Sequence, residues 1–126
     1  MVPMIYFLLA QLVLGVPDDI VVTVTSGIVT IGMSFTVRVE LYNGGSLDVS
    51  SDVITLTVNT GTLSGTLTDS SNSDIRTFTG LTLNTLGSVT ITATDSTTSL
   101  TDTVTFTVYR KALVLSDTSP ASVTFI

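Results

Sequence analysis

The stretch MSFTVRVELY, residues 33–42, alternates apolar and polar side chains without a break. Met33, Phe35, Val37, Val39 and Leu41 would share one face of an extended chain, and the polar side chains and the aromatic ring at the even positions would take the other. Because successive side chains of a β-strand point to opposite faces, this pattern predicts a strand with one buried face.

The same period of two recurs along the chain. Segments 54–58, 88–95 and 102–109 are predicted as strong strands, and 20–25, 62–68 and 77–83 as weaker ones, with Gly-, Asn- and Ser-rich turns between them. About seven short strands, each with one apolar face, predict an all-β antiparallel β-sandwich, and a small barrel is the alternative. The predicted core comprises Phe35, Val37, Val39, Leu56, Val58, Phe78, Leu81, Val89, Ile91, Val104 and Phe106.

The composition excludes several classes of function. The net charge is −6, with only four Lys and Arg, so the clustered cations that nucleic acid needs are missing. The chain has no Cys and no His, which rules out a disulfide framework and a Ser–His–Asp site. No other residue pattern indicates an enzyme. An acidic, Thr- and Ser-rich chain with one Lys is typical of an extracellular or cell-surface protein.

Residues 61–108 carry the segments GTLSG (61–65), TFTGLTL (77–83), TATD (92–95) and FTV (106–108). In this order they resemble the second half of a bacterial immunoglobulin-like (Ig-like) repeat of the invasin and adhesin type. The resemblance implies an Ig-like sandwich in a tandem-repeat surface protein, and it implies no particular ligand.

The two ends of the chain resemble each other. With a shift of 101 residues, five of the 14 pairs from 12/113 to 25/126 are identical, including Leu-Val-Leu at 12–14 and 113–115. The spacing matches one Ig-like repeat. We therefore divide the chain into an apolar N-terminal segment or first strand (1–19), a sandwich domain (20–109), and a junction with the first strand of a following unit (110–126).

This division predicts self-association, either with neighbouring repeats of one polypeptide or with other copies in a homopolymer. An added strand satisfies the unpaired backbone groups of a sheet edge, and a head-to-tail contact that does not close builds a fibre. The residues predicted to form the assembly interface are Leu12, Val13, Leu14, Leu113, Val114, Leu115, Val123 and Phe125.

Three alternatives remain open. Loops 43–52 and 69–75 could form the contact surface of an adhesin or a carbohydrate-binding module. Asp18, Asp19 and Asp117 could converge on Ca²⁺ at a domain junction, although turn formation is the simpler role for these residues. The apolar stretch 4–16 is too short for a membrane helix, and it fits a signal segment or a buried strand.

Overall fold

The computed structural model describes residues 16–111. All regular elements in this range are β-strands, which confirms the predicted fold class. In chain order they are β1 (Asp19–Val24), β2 (Val29–Thr30), β3 (Phe35–Asn43), β4 (Ser46–Leu47), β5 (Ile54–Val58), β6 (Leu63–Ser64), β7 (Thr68–Asp69), β8 (Ile75–Leu83), β9 (Gly87–Asp95) and β10 (Thr101–Tyr109).

The strands form two sheets that pack face to face as a sandwich. The first has the order β1-β3-β8-β6, with β4 paired to β3, and the second has the order β2-β10-β9-β5-β7. Every pairing is antiparallel except that of β2 with β10, which is parallel. Strand β1 therefore lies at one edge of the first sheet, next to the β10 side of the second.

The sandwich has two ends, which we name by the chain termini nearest to them. The N-terminal pole holds the start of β1, the end of β3, and the Ile54–Asp95 pairing of β5 with β9. The C-terminal pole holds the end of β10 beside β2, and the pairing of Leu63 with Leu83.

The core lies between the two sheets. Phe35 of the first sheet meets Phe106 of the second with ring centroids 5.9 Å apart and a tilt of 58° between the rings. Such tilted aromatic pairs add to the free energy that burial alone contributes. The buried apolar residues are Ile20, Val22, Val29, Phe35, Val37, Val39, Leu41, Ile54, Leu56, Leu63, Phe78, Leu81, Leu83, Val89, Ile91, Ala93 and Val108. Three residues of the predicted core, Val58, Val104 and Phe106, are only partly buried against this cluster.

Two predicted strands differ from the structure. Met33 lies in a turn with its side chain 52% exposed, and β3 begins two residues later, because Gly32 with φ of 72° turns the chain there. The predicted strand 62–68 is divided, since β6 pairs with β8 in one sheet and β7 pairs with β5 in the other. Gly65 lies between them with φ of 122°, where the chain leaves the first sheet.

Candidate functional site

The chain enters and leaves the sandwich at opposite poles. Val16 and Pro17 lead into β1 at the N-terminal pole, where the N–H of Asp18 donates to the carbonyl of Tyr42 at 2.8 Å. Strand β10 ends at Tyr109 at the C-terminal pole, and Arg110 and Lys111 follow it. A neighbour joined to either end would therefore continue along the long axis of the sandwich.

Charge is divided between the two poles. Within residues 16–111, the carboxylates other than Glu40 lie in or beside the N-terminal pole, and they are Asp18, Asp19, Asp48, Asp52, Asp69, Asp74, Asp95 and Asp102. Glu40 pairs with Arg38 at 3.4 Å on the outer face of β3. Arg110 and Lys111, both exposed, follow β10 at the C-terminal pole. The described unit is thus acidic at one end and basic at the other.

The structure brings together the two loops that the sequence proposed as an alternative contact surface. Ser50 and Ser73 form an isolated antiparallel bridge, with N–H to carbonyl distances of 3.3 and 3.0 Å. Loops 43–52 and 69–75 therefore form one surface at the N-terminal pole. On it, Leu47 and Val49 are 44% and 51% exposed.

A fully buried arginine holds this surface in place. The guanidinium of Arg76 donates to the carbonyls of Asp52 and Asp69 at 2.8 Å, to that of Ser73 at 3.2 Å, and also to that of Ser50. The Asp69 carboxylate lies 3.8 Å from it. Burying a cation is costly unless its donors are satisfied, and here the loop carbonyls satisfy them. Arg76 is therefore a structural residue, which the sequence analysis did not identify.

Two carboxyl groups meet beside this arginine. Asp95 is fully buried, and its Oδ1 accepts hydrogen bonds from the N–H groups of Thr97 and Thr98 at 2.9 and 3.3 Å. Burial raises the pKa of Asp52, and a side-chain hydrogen bond with Asp95 raises it further. The Oδ2 atoms of both residues are buried without a partner among the described residues. Two neighbouring carboxylates repel each other, so the charge of Asp95 also contributes to the raised pKa of Asp52.

The described members of the proposed calcium site have other partners. Asp18 Oδ2 accepts a hydrogen bond from the N–H of Gly44 at 3.1 Å, and Asp19 Oδ1 accepts one from the N–H of Ile20 at 2.9 Å. Asp117 lies outside the described residues. Residues 16–111 contain no group of three or more metal-binding side chains that could hold an ion. Both aspartates therefore organise the start of β1 and the turn after β3.

The outer edge of β1 is partly covered by carboxylates. The N–H of Ile20 is bound by Asp19, and the N–H of Val22 donates to Asp102 Oδ2 at 2.9 Å. Because Asp102 belongs to β10, this bond also joins the two sheets at their flank. Side chains that occupy the hydrogen-bonding groups of an edge strand hinder the addition of another strand there.

On the side of that bond toward the C-terminal pole, the flank has a groove of about 330 Å³ between β1 and β10. Val24, Val104 and Phe106 line its interior, and Ile28 and Tyr109 stand at its rim with 72% and 54% of their surface exposed. Two exposed apolar side chains, Ile28 and Tyr109, therefore stand beside a partly buried apolar lining. They make this flank a candidate contact surface.

A second groove of about 520 Å³ lies on the opposite flank, between β7 and β8. Its lining is rich in hydroxyl groups and comprises Thr66, Thr68, Asp69, Ser70, Ser71, Thr77, Phe78 and Thr79. Asp69, Ser70 and Ser71 belong to the loop 69–75, so this groove adjoins the surface at the N-terminal pole.

The eight residues predicted for the assembly interface, at 12–14, 113–115, 123 and 125, lie outside the described residues. Almost all of the apolar stretch 4–16 lies outside as well. Between residues 16 and 111, no helix is long and apolar enough to cross a membrane.

No model of a known protein family matches the chain, and no curated protein matches it.

Proposed function

We propose that this chain is a structural, non-catalytic Ig-like domain of an extracellular filament or tandem-repeat surface protein. Its units assemble head to tail, by strand donation or by stacking of domains. The observation that carries this proposal is that the chain enters the sandwich at one pole and leaves it at the other. Such a unit transmits tension along its length through the strands and their hydrogen bonds.

The division of charge supports the same arrangement. In a head-to-tail row, Arg110 and Lys111 of one unit would face the acidic N-terminal pole of the next. Opposite charges at facing surfaces favour the correct orientation of partners and disfavour head-to-head contacts. The similarity between the two ends of the sequence supports the arrangement as well, because it predicts that the first strand of a following unit comes directly after Arg110 and Lys111.

The experiment compares four forms of the chain by sedimentation velocity and negative-stain electron microscopy. The full chain is expected to form fibres, and a chain that ends at Lys111 is expected to remain a folded monomer. In the full chain, Val123→Asp places a charge in the predicted interface, whereas Ser119→Asp adds the same charge at a polar position. We expect the first substitution to abolish fibres and the second to leave them. A full chain that stays monomeric at high concentration contradicts the proposal.

A second candidate is an adhesin or carbohydrate-binding module. It is favoured by the joined loops 43–52 and 69–75 and by the hydroxyl-lined groove beside them. The loops contain no aromatic ring, although sugars often stack on such rings. A glycan array tests this candidate, and the double substitution of Thr68 and Thr77 by Val should then remove the signal.

A further inference from the structure

The flank between β1 and β10 has one protected edge and one open edge. On β1, Asp19 and Asp102 occupy the N–H groups of Ile20 and Val22. On β10, strand β2 pairs only with Val108 and Tyr109. Elsewhere in residues 16–111, no strand pairs with the outer side of β10.

The direction of the backbone groups on β10 follows from one hydrogen bond. The N–H of Ile31, just after β2, donates to the carbonyl of Tyr109 at 2.9 Å, so the Tyr109 carbonyl points away from β9. Because these groups alternate along a strand, the carbonyls and N–H groups of Thr103 and Thr105 point the same way. The open edge runs from the Asp102–Val22 bond to β2, over Thr103–Thr107, which is about 17 Å of strand.

The open edge borders the apolar groove. Val104 and Phe106 face the interior from β10, Val24 faces it from β1, and Ile28 is exposed beside them. A strand added along Thr103–Thr107 would place every second side chain against these residues. It therefore needs apolar residues at i, i+2 and i+4, no charge, and a length of about five or six residues.

We propose that this edge accepts a β-strand from a second copy of the chain, namely residues 121–126. Their sequence, ASVTFI, puts Ala121, Val123 and Phe125 on one face and carries no charged side chain. The position of β1 is already filled by the chain's own residues 19–24, so a donated strand must use another edge. This inference rests on the proposed head-to-tail assembly and adds the acceptor site to it.

The path of the donor agrees with this site. A neighbour stacked on the N-terminal pole sends its chain from Lys111 toward that pole, and residues 112–120 can span up to about 30 Å. The donated strand then runs parallel to β10, in the same direction as β2, and ends before the point where β2 pairs with β10. The chain's own residues 112–126 leave from the opposite pole, so they would have to pass β2 and run antiparallel.

The chain contains no Cys, so engineered cysteines can report this contact without background. One full-length chain carries Thr103→Cys and the other carries Ser122→Cys, and the two are mixed under mild oxidation. The control replaces Thr103→Cys by Thr92→Cys, because Thr92 pairs with Thr103 but lies one strand farther from the donor. A disulfide requires Cα atoms closer than about 7 Å, which the control position cannot reach.

We expect about tenfold more cross-linked heterodimer with T103C than with T92C, because only the first is within disulfide reach of a paired strand. A chain carrying both T103C and S122C that closes on itself at high dilution would show that the occupant is its own segment, and the proposal would be wrong. Association without any T103C cross-link would overturn the acceptor site and leave head-to-tail assembly standing. Absence of association in sedimentation would overturn both.

Discussion

The Asp102 carboxylate accepts a hydrogen bond of 2.9 Å from the backbone N–H of Val22, a residue 80 positions earlier in the chain. This bond joins the edge of one sheet to the edge of the other. It also occupies a backbone group that an incoming strand would use, so it marks where the closed part of the flank ends and the groove begins.

Asp102→Ala should lower the free energy of unfolding by about 1–2 kcal/mol, because it leaves a partly buried N–H without its charged acceptor. The measurement is urea denaturation, with amide hydrogen exchange at Val22 as the local reporter. Asp102→Asn keeps the shape of the side chain and one acceptor oxygen, so it should lower the free energy of unfolding by less than Asp102→Ala does. Equal exchange at Val22 in both variants and the unmodified chain would show that the bond does not hold β1.

Arg76→Met should lower the free energy of unfolding by about 3 kcal/mol or more, which is a larger loss than that expected for Asp102→Ala. It removes the buried donor that the carbonyls of four loop residues share, Ser50, Asp52, Asp69 and Ser73. The carbonyls of Ser50 and Ser73 keep only the hydrogen bonds of their own bridge. Denaturant unfolding gives the loss, and limited proteolysis shows whether loops 43–52 and 69–75 come apart.

The matched control is Arg38→Met. Arg38 is 41% exposed and pairs with Glu40 on the sheet surface, so removing it should cost less than about 1 kcal/mol. If the two methionine variants unfold at the same denaturant concentration, the loops do not depend on the buried guanidinium.

The contributions of Asp52 and Asp69 to the free energy of unfolding should change in opposite directions as the pH rises. Burial and the Asp95 hydrogen bond raise the pKa of Asp52, so its stabilising contribution is complete below its ordinary pKa of 3.8 and is lost as the pH rises through the raised value. Asp52→Asn mimics the protonated form. It should therefore stabilise the protein at pH 7 and lose that advantage in acid.

Burial alone would raise the pKa of Asp69, but hydrogen bonds from Ser71 and the charge of Arg76 lower it overall. Its contribution is therefore present above its ordinary pKa and is lost as the pH falls through the lowered one. Asp69→Asn should destabilise the protein at pH 7 and have little effect at the acid end. Thermal unfolding of both variants between pH 3 and pH 7 checks these slopes, and parallel slopes would contradict the assignment.

Much of the fold could be predicted from period-two patterning, because a half-buried strand imposes it directly on the sequence. The alternation at 33–42 assigned Phe35, Val37, Val39 and Leu41 to one face of a strand, and all four are buried. Short strands were harder to predict. Val29–Thr30 and Ser46–Leu47 are two residues long, too short to show a period. The pairing of Val29–Thr30 also depends on Val108 and Tyr109, far along the chain, whereas Ser46–Leu47 pairs with Tyr42 and Asn43 just before it.

The sequence analysis did not identify the buried charged residues, Arg76 and Asp95, and the reason is a different one. Arg76 is two residues before Phe78, and Asp95 is two after Ala93, so the alternation assigns both to the buried face. A charged residue at an inward position of a strand was the available signal. Its partners could not be predicted, because they are loop carbonyls and a second carboxyl group that only the folded chain brings together.

A side chain at position 65 should destabilise the protein, because Gly65 has φ of 122° and an added Cβ would lie 3.2 Å from the carbonyl oxygen of Gly80. We expect Gly65→Ala to cost about 1–2 kcal/mol through backbone strain where β6 leaves the first sheet. Gly27→Ala is the control, because nothing lies within 4 Å of a Cβ there and its φ is outside the left-handed region. That variant should be neutral or slightly stabilising, since alanine restricts the unfolded chain. Equal midpoints for the two variants in urea would mean that the crossing between the sheets does not need its glycine.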